Sequence, residues 1–316
     1  MTEDETISEI TLREADRVEI TVLVDNYIDI FVPQSTPVEH RLPFNTGRTI
    51  LAEHGLACLV RVFAGNKEHT ILLDAGLSRD CLLNNARELG IDLHAAEAIV
   101  LSHGHFDHIG ALLALFPGAT HQVPLIVHPD VFLQRRLNNP ATGPVSLPQL
   151  DAVALKKAGA DIRQRTEPST LAGGHLLVTG QVERTTSFEK GMPGMEMFKD
   201  GRWQADPIND DQALVINVKG RGLVVISGCA HAGIINTVEY AKACTGVDHV
   251  HAVIGGFHLT GPAFAPIIRP TVDAMKEINP DYVVPMHCTG WEAMHRFETE
   301  MPGKFILNTV GTTYVF

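Results

Sequence analysis

The residues with the clearest capacity for chemistry are three histidines and an aspartate within six positions: His103, His105, Asp107 and His108. They form an H-x-H-x-D-H pattern directly after the apolar run 98–101. Neutral imidazole and carboxylate are the ligand types of zinc, iron and manganese sites. One or two histidines here would indicate only an ordinary surface loop. The H-x-H-x-D-H spacing between a predicted strand and a predicted helix instead indicates a metal site.

Three other predicted strands also end in ligand-type side chains, and a common site explains this better than core packing does. Cys229 and His231 follow one strand, His258 follows the next, and His287 follows the last. We predict that the first two histidines of the pattern and one further histidine hold a first ion. The aspartate, the third histidine and another ligand would hold a second, and two ions sharing a water would lower its pKa. As a thiolate, Cys229 would favour zinc or iron, although free cysteine is as often a small buried side chain.

Supporting roles are predicted for further residues, each with an ordinary structural role as the alternative. Asp74 ends a predicted strand, and we expect it to orient a ligand histidine rather than to bind metal. Asn26, His54, Arg184 and His258 are candidate substrate contacts.

Two features next to the predicted ligands are interpreted from their position in the chain. The helix predicted to start at Gly233 has free N–H groups and a dipole that would favour an anion beside the metals. Cys288 is placed in the core, because it points away from His287 if the strand continues. The other histidines, His121 among them, are treated as surface or core.

The order of the predicted elements indicates the α+β class. Each half of the chain contains a hairpin, a helix and a strand, which predicts a four-layer αββα sandwich of two mixed β-sheets flanked by helices, with the site at the sheet ends. We interpret residues 1–316 as a single domain in which polar residues 1–16 fray. A cap insertion is predicted at about 129–172, and a mobile loop at about 185–210. Strands are predicted at 18–24, 56–62, 69–74, 98–101, 124–128, 175–179, 213–218, 223–226, 252–254 and 282–284.

The composition limits the partners of the protein. A formal charge of -12 over 316 residues argues against non-specific binding to nucleic acid or to an anionic membrane. The chain has no apolar run of membrane-spanning length, and its acidic start is unlike a secretory signal. Five widely spaced cysteines favour a reduced, cytoplasmic protein over a disulfide framework. We expect a small-molecule substrate, and it can be phosphorylated because a local patch or a metal suffices to bind it. The oligomeric state is left open.

At these residues the chain resembles the metallo-β-lactamase superfamily, whose hallmark is the H-x-H-x-D-H loop after a short strand. The resemblance runs from about residue 18 to the C-terminus and is closest to the dihydropteroate-synthase-like branch. It implies the metallo-β-lactamase fold and one or two divalent transition metal ions, with zinc first and iron or manganese as alternatives. Arg184 and eight segments carry the resemblance to the branch: 25–27 (DNY), 53–56 (EHGL), 73–76 (LDAG), 179–180 (TG), 211–214 (DQAL), 228–233 (GCAHAG), 255–259 (GGFHL) and 287–290 (HCTG).

Two departures from the wider superfamily bear on the predicted site. Most members place an aspartate that bridges both ions where Cys229 stands. Most also have a histidine near the position of Asp210 and Asp211. We therefore expect His231 to act as the missing histidine ligand, and the number of ions stays open between one and two.

Three hypotheses about function follow. The first is a metal-dependent hydrolase of a phosphorylated, ester or lactone small molecule, with Asp107 and His231 as candidate catalytic residues; the metal would activate water, and His231 would receive developing negative charge. The resemblance implies the second, a pterin-linked synthase that condenses a dihydropterin pyrophosphate with an aminobenzene ribofuranosyl phosphate. The third is a di-iron redox protein, which usually carries a fused flavin domain that does not fit in this length. The intact ligand set argues against a non-enzymatic metal-binding protein.

Overall fold

The computed structural model describes residues 10–118, 122–139 and 141–316. His121, residues 1–9 of the polar start and Pro140 of the predicted cap lie outside the described residues. The α-helices are α1 (Arg79–Leu89), α2 (Phe106–Ile109), α3 (Ala152–Ala158), α4 (Ile234–Thr245), α5 (Ala265–Ile278) and α6 (Trp291–Glu300). The strands are β1 (Arg17–Val24), β2 (Glu39–His40), β3 (Ala57–Ala64), β4 (Lys67–Leu73), β5 (Ala98–Val100), β6 (Val123–Val127), β7 (Gln134–Asn139), β8 (Gly143–Ser146), β9 (Ala160–Gln164), β10 (Ser169–Leu171), β11 (Leu176–Val178), β12 (Met195–Lys199), β13 (Arg202–Ala205), β14 (Ala213–Val218), β15 (Gly222–Ser227), β16 (Val250–Gly256), β17 (Tyr282–Met286) and β18 (Thr313–Val315).

Two large sheets form the centre of the molecule. The first has the strand order β2-β18-β1-β3-β4-β5-β6-β9, and the second has the order β10-β11-β14-β15-β16-β17. Both sheets are mixed. Strands β4, β5, β6 and β9 run parallel in the first, and β15, β16 and β17 run parallel in the second. The remaining neighbours within these two sheets are antiparallel.

The burial of alternating side chains places the two sheets face to face. On β1, Val18, Ile20 and Val22 belong to an apolar cluster that also contains Leu214 and Ile254 from the second sheet. A second cluster packs the outer face of the first sheet against α1 and α3, and a third packs the second sheet against α4, α5 and α6. Burial of such apolar faces is the main favourable term in folding. The predicted αββα sandwich is confirmed.

A third, smaller sheet covers part of the range in which we predicted a cap and a loop. It has the order β13-β12-β7-β8 and is antiparallel throughout. Residues 195–205, expected as loop, form β12 and β13 because the alternation along β12 buries Met195 and Met197. Other parts of 129–172 join the main layers, since β9 pairs with β6 and β10 with β11. That residues 1–316 form one domain and that 185–210 is mobile stay predictions.

Two further details of the secondary structure bear on the site. The helix predicted after the H-x-H-x-D-H pattern, which we expected over 109–115, is only the short α2, and a 3-10 turn follows at Leu112–Ala114. Each helix among the described residues is too short or too polar to span a membrane.

Candidate metal centre

The carboxyl ends of the parallel strands bring the predicted ligands to one place. The H-x-H-x-D-H loop follows β5, Asp74 follows β4, and the residues after β15, β16 and β17 face them from the second sheet. Chain reversal directly after each strand requires unusual backbone there. Asp74, Ala230, His258 and His287 all have φ values between 41° and 60°, in the left-handed region that side chains rarely adopt. Such strain is characteristic of functional sites.

The first ligand group consists of His103, His105 and His231, which are all buried. Nδ1 of His105 lies 3.1 Å from Nε2 of His231. Nδ1 of His103 lies 2.9 Å from the Ser102 hydroxyl, which itself donates to Asp74. We infer that His103 carries its proton on Nδ1, so its Nε2 lone pair is free for a metal.

The second ligand group consists of Asp107, His108 and His287. Oδ2 of Asp107 lies 3.4 Å from Nε2 of His287 and 3.9 Å from Nε2 of His108. Nδ1 of His287 lies 3.2 Å from the side-chain oxygen of Asn26, an acceptor that directs the opposite nitrogen into the site. Burial alone would raise the pKa of Asp107, but His108, His287 and His54 lower it well below its usual value, so the carboxylate is ionised.

Cys229 lies between the two ligand groups. Its Sγ is 3.2 Å from Nε2 of His108. It also lies within 4.8 Å of a ring nitrogen of His231 and of one of His258. Cys288 lies close to it as well, and we placed that residue in the core, away from the site. That prediction was wrong. The strand does not continue, because β17 ends at Met286 and His287 has a left-handed backbone with φ +53°. This turn brings the Cys288 thiol within 4.8 Å of the ligand atoms of Cys229 and His287.

Asp74 lies where we expected a carboxylate that orients a ligand. It is fully buried, and one of its oxygens lies 2.7 Å from Nδ1 of His108. The other oxygen accepts the backbone N–H of Ser102 at 2.7 Å. Burial opposes a charge on His108, but Asp74 and Asp107 raise its pKa to about 9. The Asp74 carboxylate thus fixes the ring and directs Nε2 of His108 into the site.

Replacement of Asp74 by asparagine is expected to weaken metal binding by about 10- to 100-fold, because loss of such a supporting carboxylate releases the ligand ring. Metal affinity measured by competition with a chromophoric chelator checks this. Asp16→Asn is the control, since that carboxylate accepts the backbone N–H of Gly65 and belongs to neither ligand group. Unchanged affinity in Asp74→Asn would show that His108 needs no orienting carboxylate.

The loop that carries His103, His105 and His108 is supported by residues that were not predicted from the sequence. Asp210 accepts the backbone N–H of Gly104 at 2.8 Å and also binds the guanidinium of Arg135. Arg135 binds Asp206 as well, at 2.7 Å. A Cβ on Gly104 would lie 2.7 Å from both the Arg135 side chain and the Val131 carbonyl oxygen, so only glycine fits this approach. No local pattern links Arg135 on β7 to the metal loop.

The residues that replace the usual superfamily histidine have structural contacts instead. Asp210 holds the loop at Gly104, and Asp211 accepts the backbone N–H of Ala232 at 2.8 Å. Burial raises the pKa of Asp211 to about 7. Both carboxylates therefore position the loops that carry His103 and His231.

The start of α4 is not free to bind an anion, contrary to our expectation for the helix beginning at Gly233. Glu189 accepts the backbone N–H groups of Ile235 and Asn236, both at 2.9 Å. Its carboxylate also packs so closely against Gly233 that a Cβ there would lie 2.1 Å away. The protein supplies its own anion at this helix end.

The four candidate substrate contacts differ in their surroundings. Asn26 and His54 lie beside the second ligand group. Nδ2 of Asn26 donates to the carbonyl oxygen of His287 at 2.9 Å, and Nε2 of His54 lies 3.3 Å from Asp107. The His258 ring packs 4.3 Å from the His231 ring. Arg184 binds the carbonyl oxygens of Pro207 and Ile208 instead, so its guanidinium has backbone partners outside the ligand groups.

The donor set fits one or two metal ions. Within the two ligand groups, four buried ring nitrogens have no hydrogen-bond partner: Nε2 of His103, Nε2 of His105, Nδ1 of His231 and Nε2 of His287. In His105 and His231 the other ring nitrogens face each other. Burial lowers the pKa of His105 to about 3 and that of His103 and His231 well below the usual value, so these rings are neutral. Two tetrahedral zinc ligands stand about 3.4 Å apart. Nδ1 of His105 and Nε2 of His231 are 3.1 Å apart, and Oδ2 of Asp107 and Nε2 of His287 are 3.4 Å apart, both close to that distance.

Comparison with known proteins agrees with the fold. A family model described as a beta-lactamase superfamily domain matches residues 69–161. A 7,8-dihydropterin-6-methyl-4-(beta-D-ribofuranosyl)-aminobenzene-5'-phosphate synthase of Methanocaldococcus jannaschii is 30% identical over 260 residues, covering 80% of this chain and 87% of the relative. An uncharacterized protein of the same organism is 34% identical over 264 residues, covering 84% of this chain and 94% of the relative.

A solved structure is similar over nearly its whole length. It is a metal-dependent hydrolase of the beta-lactamase superfamily, with a TM-score of 0.73, 26% sequence identity, and coverage of 94% of this chain and 98% of that one. The chain belongs to the metallo-β-lactamase superfamily. It is an enzyme of that superfamily, whose relatives include a synthase and a metal-dependent hydrolase.

Proposed function

We propose that this protein is a metal-dependent hydrolase of a phosphorylated, ester or lactone small molecule. The observation that carries the proposal is the pair of ligand groups, one around His103 and one around Asp107, in which Nε2 of His103 and Nε2 of His287 are buried without a hydrogen-bond partner. His103, His105 and His231 would hold one ion, and Asp107, His108 and His287 would hold the other. Such ions supply Lewis-acid activation of water and of the leaving group.

The residues around the two ligand groups supply candidate catalytic side chains and substrate contacts. Asp107 belongs to the second ligand group and His231 to the first, which supports their proposed catalytic roles. His54 holds its Nε2 near Asp107, and its side chain is 54% exposed, so it stands at the entrance to the site. With Asn26 beside it, His54 is a candidate substrate contact. His258 is a candidate on the other side, whereas the backbone bonds of Arg184 favour a structural role.

The thiol of Cys229 favours zinc or iron over manganese as the native metal. This residue stands where most superfamily members have a bridging aspartate, and its position between the two groups supports a bridging role here. A sulfur bridge is softer than a carboxylate, so the metal preference should differ from that of members with aspartate.

The test is metal-dependent turnover. We expect protein loaded with zinc, iron or manganese to hydrolyse at least one of bis(p-nitrophenyl) phosphate, p-nitrophenyl phosphate and γ-butyrolactone. Removal of the metal with a chelator should abolish the activity, and return of the same metal should restore it. Activity that survives complete removal of the metal, or an absence of turnover with every metal and substrate, would contradict the proposal.

The synthase is the second candidate function, and the relative in Methanocaldococcus jannaschii supports it. The same centre would then assist the departure of pyrophosphate from a dihydropterin pyrophosphate while an aminobenzene ribofuranosyl phosphate attacks. Pyrophosphate release that requires both substrates favours the synthase. Hydrolysis of p-nitrophenyl esters without a second substrate favours the hydrolase.

A further inference from the structure

A cavity of about 290 Å³ opens beside the second ligand group. It shares His54, His287 and Cys288 with that side of the centre, and it does not include the ligands of the first group. Its other walls come from the segment after β1, the end of β17 and the start of α6. A molecule bound there would therefore lie against His54 and His287, which both contact Asp107.

The polar atoms on the floor of this cavity are occupied by internal hydrogen bonds. Asp25 accepts the backbone N–H of His287 at 2.8 Å and the side-chain N–H of Asn308 at 2.7 Å. The hydroxyl of Tyr314 donates to Asn308 at 3.0 Å. Asn26 is bonded to His287. The floor thus offers little to a charged group.

The rest of the wall is aromatic or apolar. Trp291 is 72% exposed and Tyr27 is 38% exposed, although both are large aromatic residues. Met286, Met294 and Leu307 complete the wall. Exposed aromatic rings around a concavity mark a binding surface, and the thioether groups of methionine make favourable contacts with aromatic rings.

The backbone holds Trp291 in place. It is the first residue of α6, and the preceding Gly290 has φ +82° and packs directly against Thr260. A Cβ on Gly290 would lie 2.8 Å from the Thr260 side chain, so glycine is required for this close packing. The Trp291 ring thus extends from a helix end whose backbone packs tightly against Thr260.

We propose that this cavity binds a planar aromatic ring of the substrate, with Trp291 as its stacking surface. The phosphate or ester group attached to the ring would then lie at Asp107 and His287. The volume is at the lower end of ligand pockets, which suits one flat ring system rather than an extended chain. The inference rests on the proposed function for the reacting group, but the recognition of the ring can be tested without turnover.

The experiment measures the binding of two phosphonates that the enzyme cannot hydrolyse. Naphthylmethylphosphonate carries a flat ring, and butylphosphonate carries an alkyl chain on the same anion. Calorimetric titration of the metal-loaded protein should show tighter binding of the naphthyl compound. Trp291→Ala should weaken that binding by roughly five- to ten-fold and leave the butyl compound unchanged. Trp291→Phe should retain most of the preference.

Trp203→Ala is the matched control, because Trp203 lies on β13 under Arg136 and does not line the cavity. It should change neither affinity. Met294→Ala is a second substitution in the same cavity wall, and it should also weaken only the binding of the naphthyl compound. Equal affinity of the two compounds for the unchanged protein would overturn the inference. So would an equal loss of both in Trp291→Ala. Neither result depends on hydrolysis, so failure here is distinct from failure of the proposed function.

Discussion

Simultaneous replacement of His103 and His105 by alanine is expected to remove metal from the first ligand group and to lower kcat/KM by at least about a thousand-fold. Three imidazoles make up this group, and one remaining histidine cannot hold an ion tightly. Metal contributes several kcal/mol of charge stabilisation to hydrolysis, and each 1.36 kcal/mol corresponds to about ten-fold in rate. Elemental analysis of the purified variant and steady-state kinetics on the best substrate measure the two effects.

The control is a double replacement of histidines that lie outside the site. His249 and His295 have side chains that are 59% and 68% exposed, and neither belongs to a ligand group. Their replacement by alanine should leave metal content and kcat/KM unchanged. If the variant lacking His103 and His105 keeps its full metal content, the assignment of the first group is wrong.

Replacement of Arg135 by methionine is expected to lower the free energy of unfolding by about 3–5 kcal/mol, because it leaves two buried carboxylates without their cationic partner. The side chains of Arg135, Asp206 and Asp210 are at most 2% exposed. Asp210 also holds the backbone of Gly104, so the histidine loop should lose its support as well. Equilibrium urea denaturation measures the change in stability, and elemental analysis measures any accompanying loss of metal.

Arg136→Met is the matched control, one position further along β7. Its partner is Glu196, and both side chains are about a quarter exposed, so the loss should stay near 1 kcal/mol. Similar destabilisation by the two variants would show that the buried network around Arg135 has no special role in the fold.

The sequence predicted the layers and the ligand sites because both depend on local patterns. Alternating apolar residues on β1, β14 and β15 and the helical spacing of α1 and α5 identify elements that bury one face. The histidines follow these strands directly. Parallel strands of one sheet bring their carboxyl ends to one edge, so residues far apart in the chain, such as His231 after β15 and His287 after β17, could be expected to lie near each other.

Contacts between distant and locally irregular segments could not be predicted in the same way. Strand β9 (ADIRQ) is polar and lies at the edge of its sheet, and β12 becomes a strand only by pairing with β7 and β13. Glu189 caps α4 from a segment expected to be loop. The approach of Cys288 to Cys229 depends on a left-handed turn at His287, a conformation that cannot be predicted from the residue type.

The most direct test of the central claim is anomalous X-ray scattering from crystals of the metal-loaded protein, collected at the absorption edges of zinc, iron and manganese. The account predicts a peak among His103, His105 and His231, and a second among Asp107, His108 and His287 when both positions are filled. A single peak in either group would still agree with a one-ion centre. The absence of any anomalous peak at these residues, in protein that elemental analysis shows to contain metal, would contradict the account.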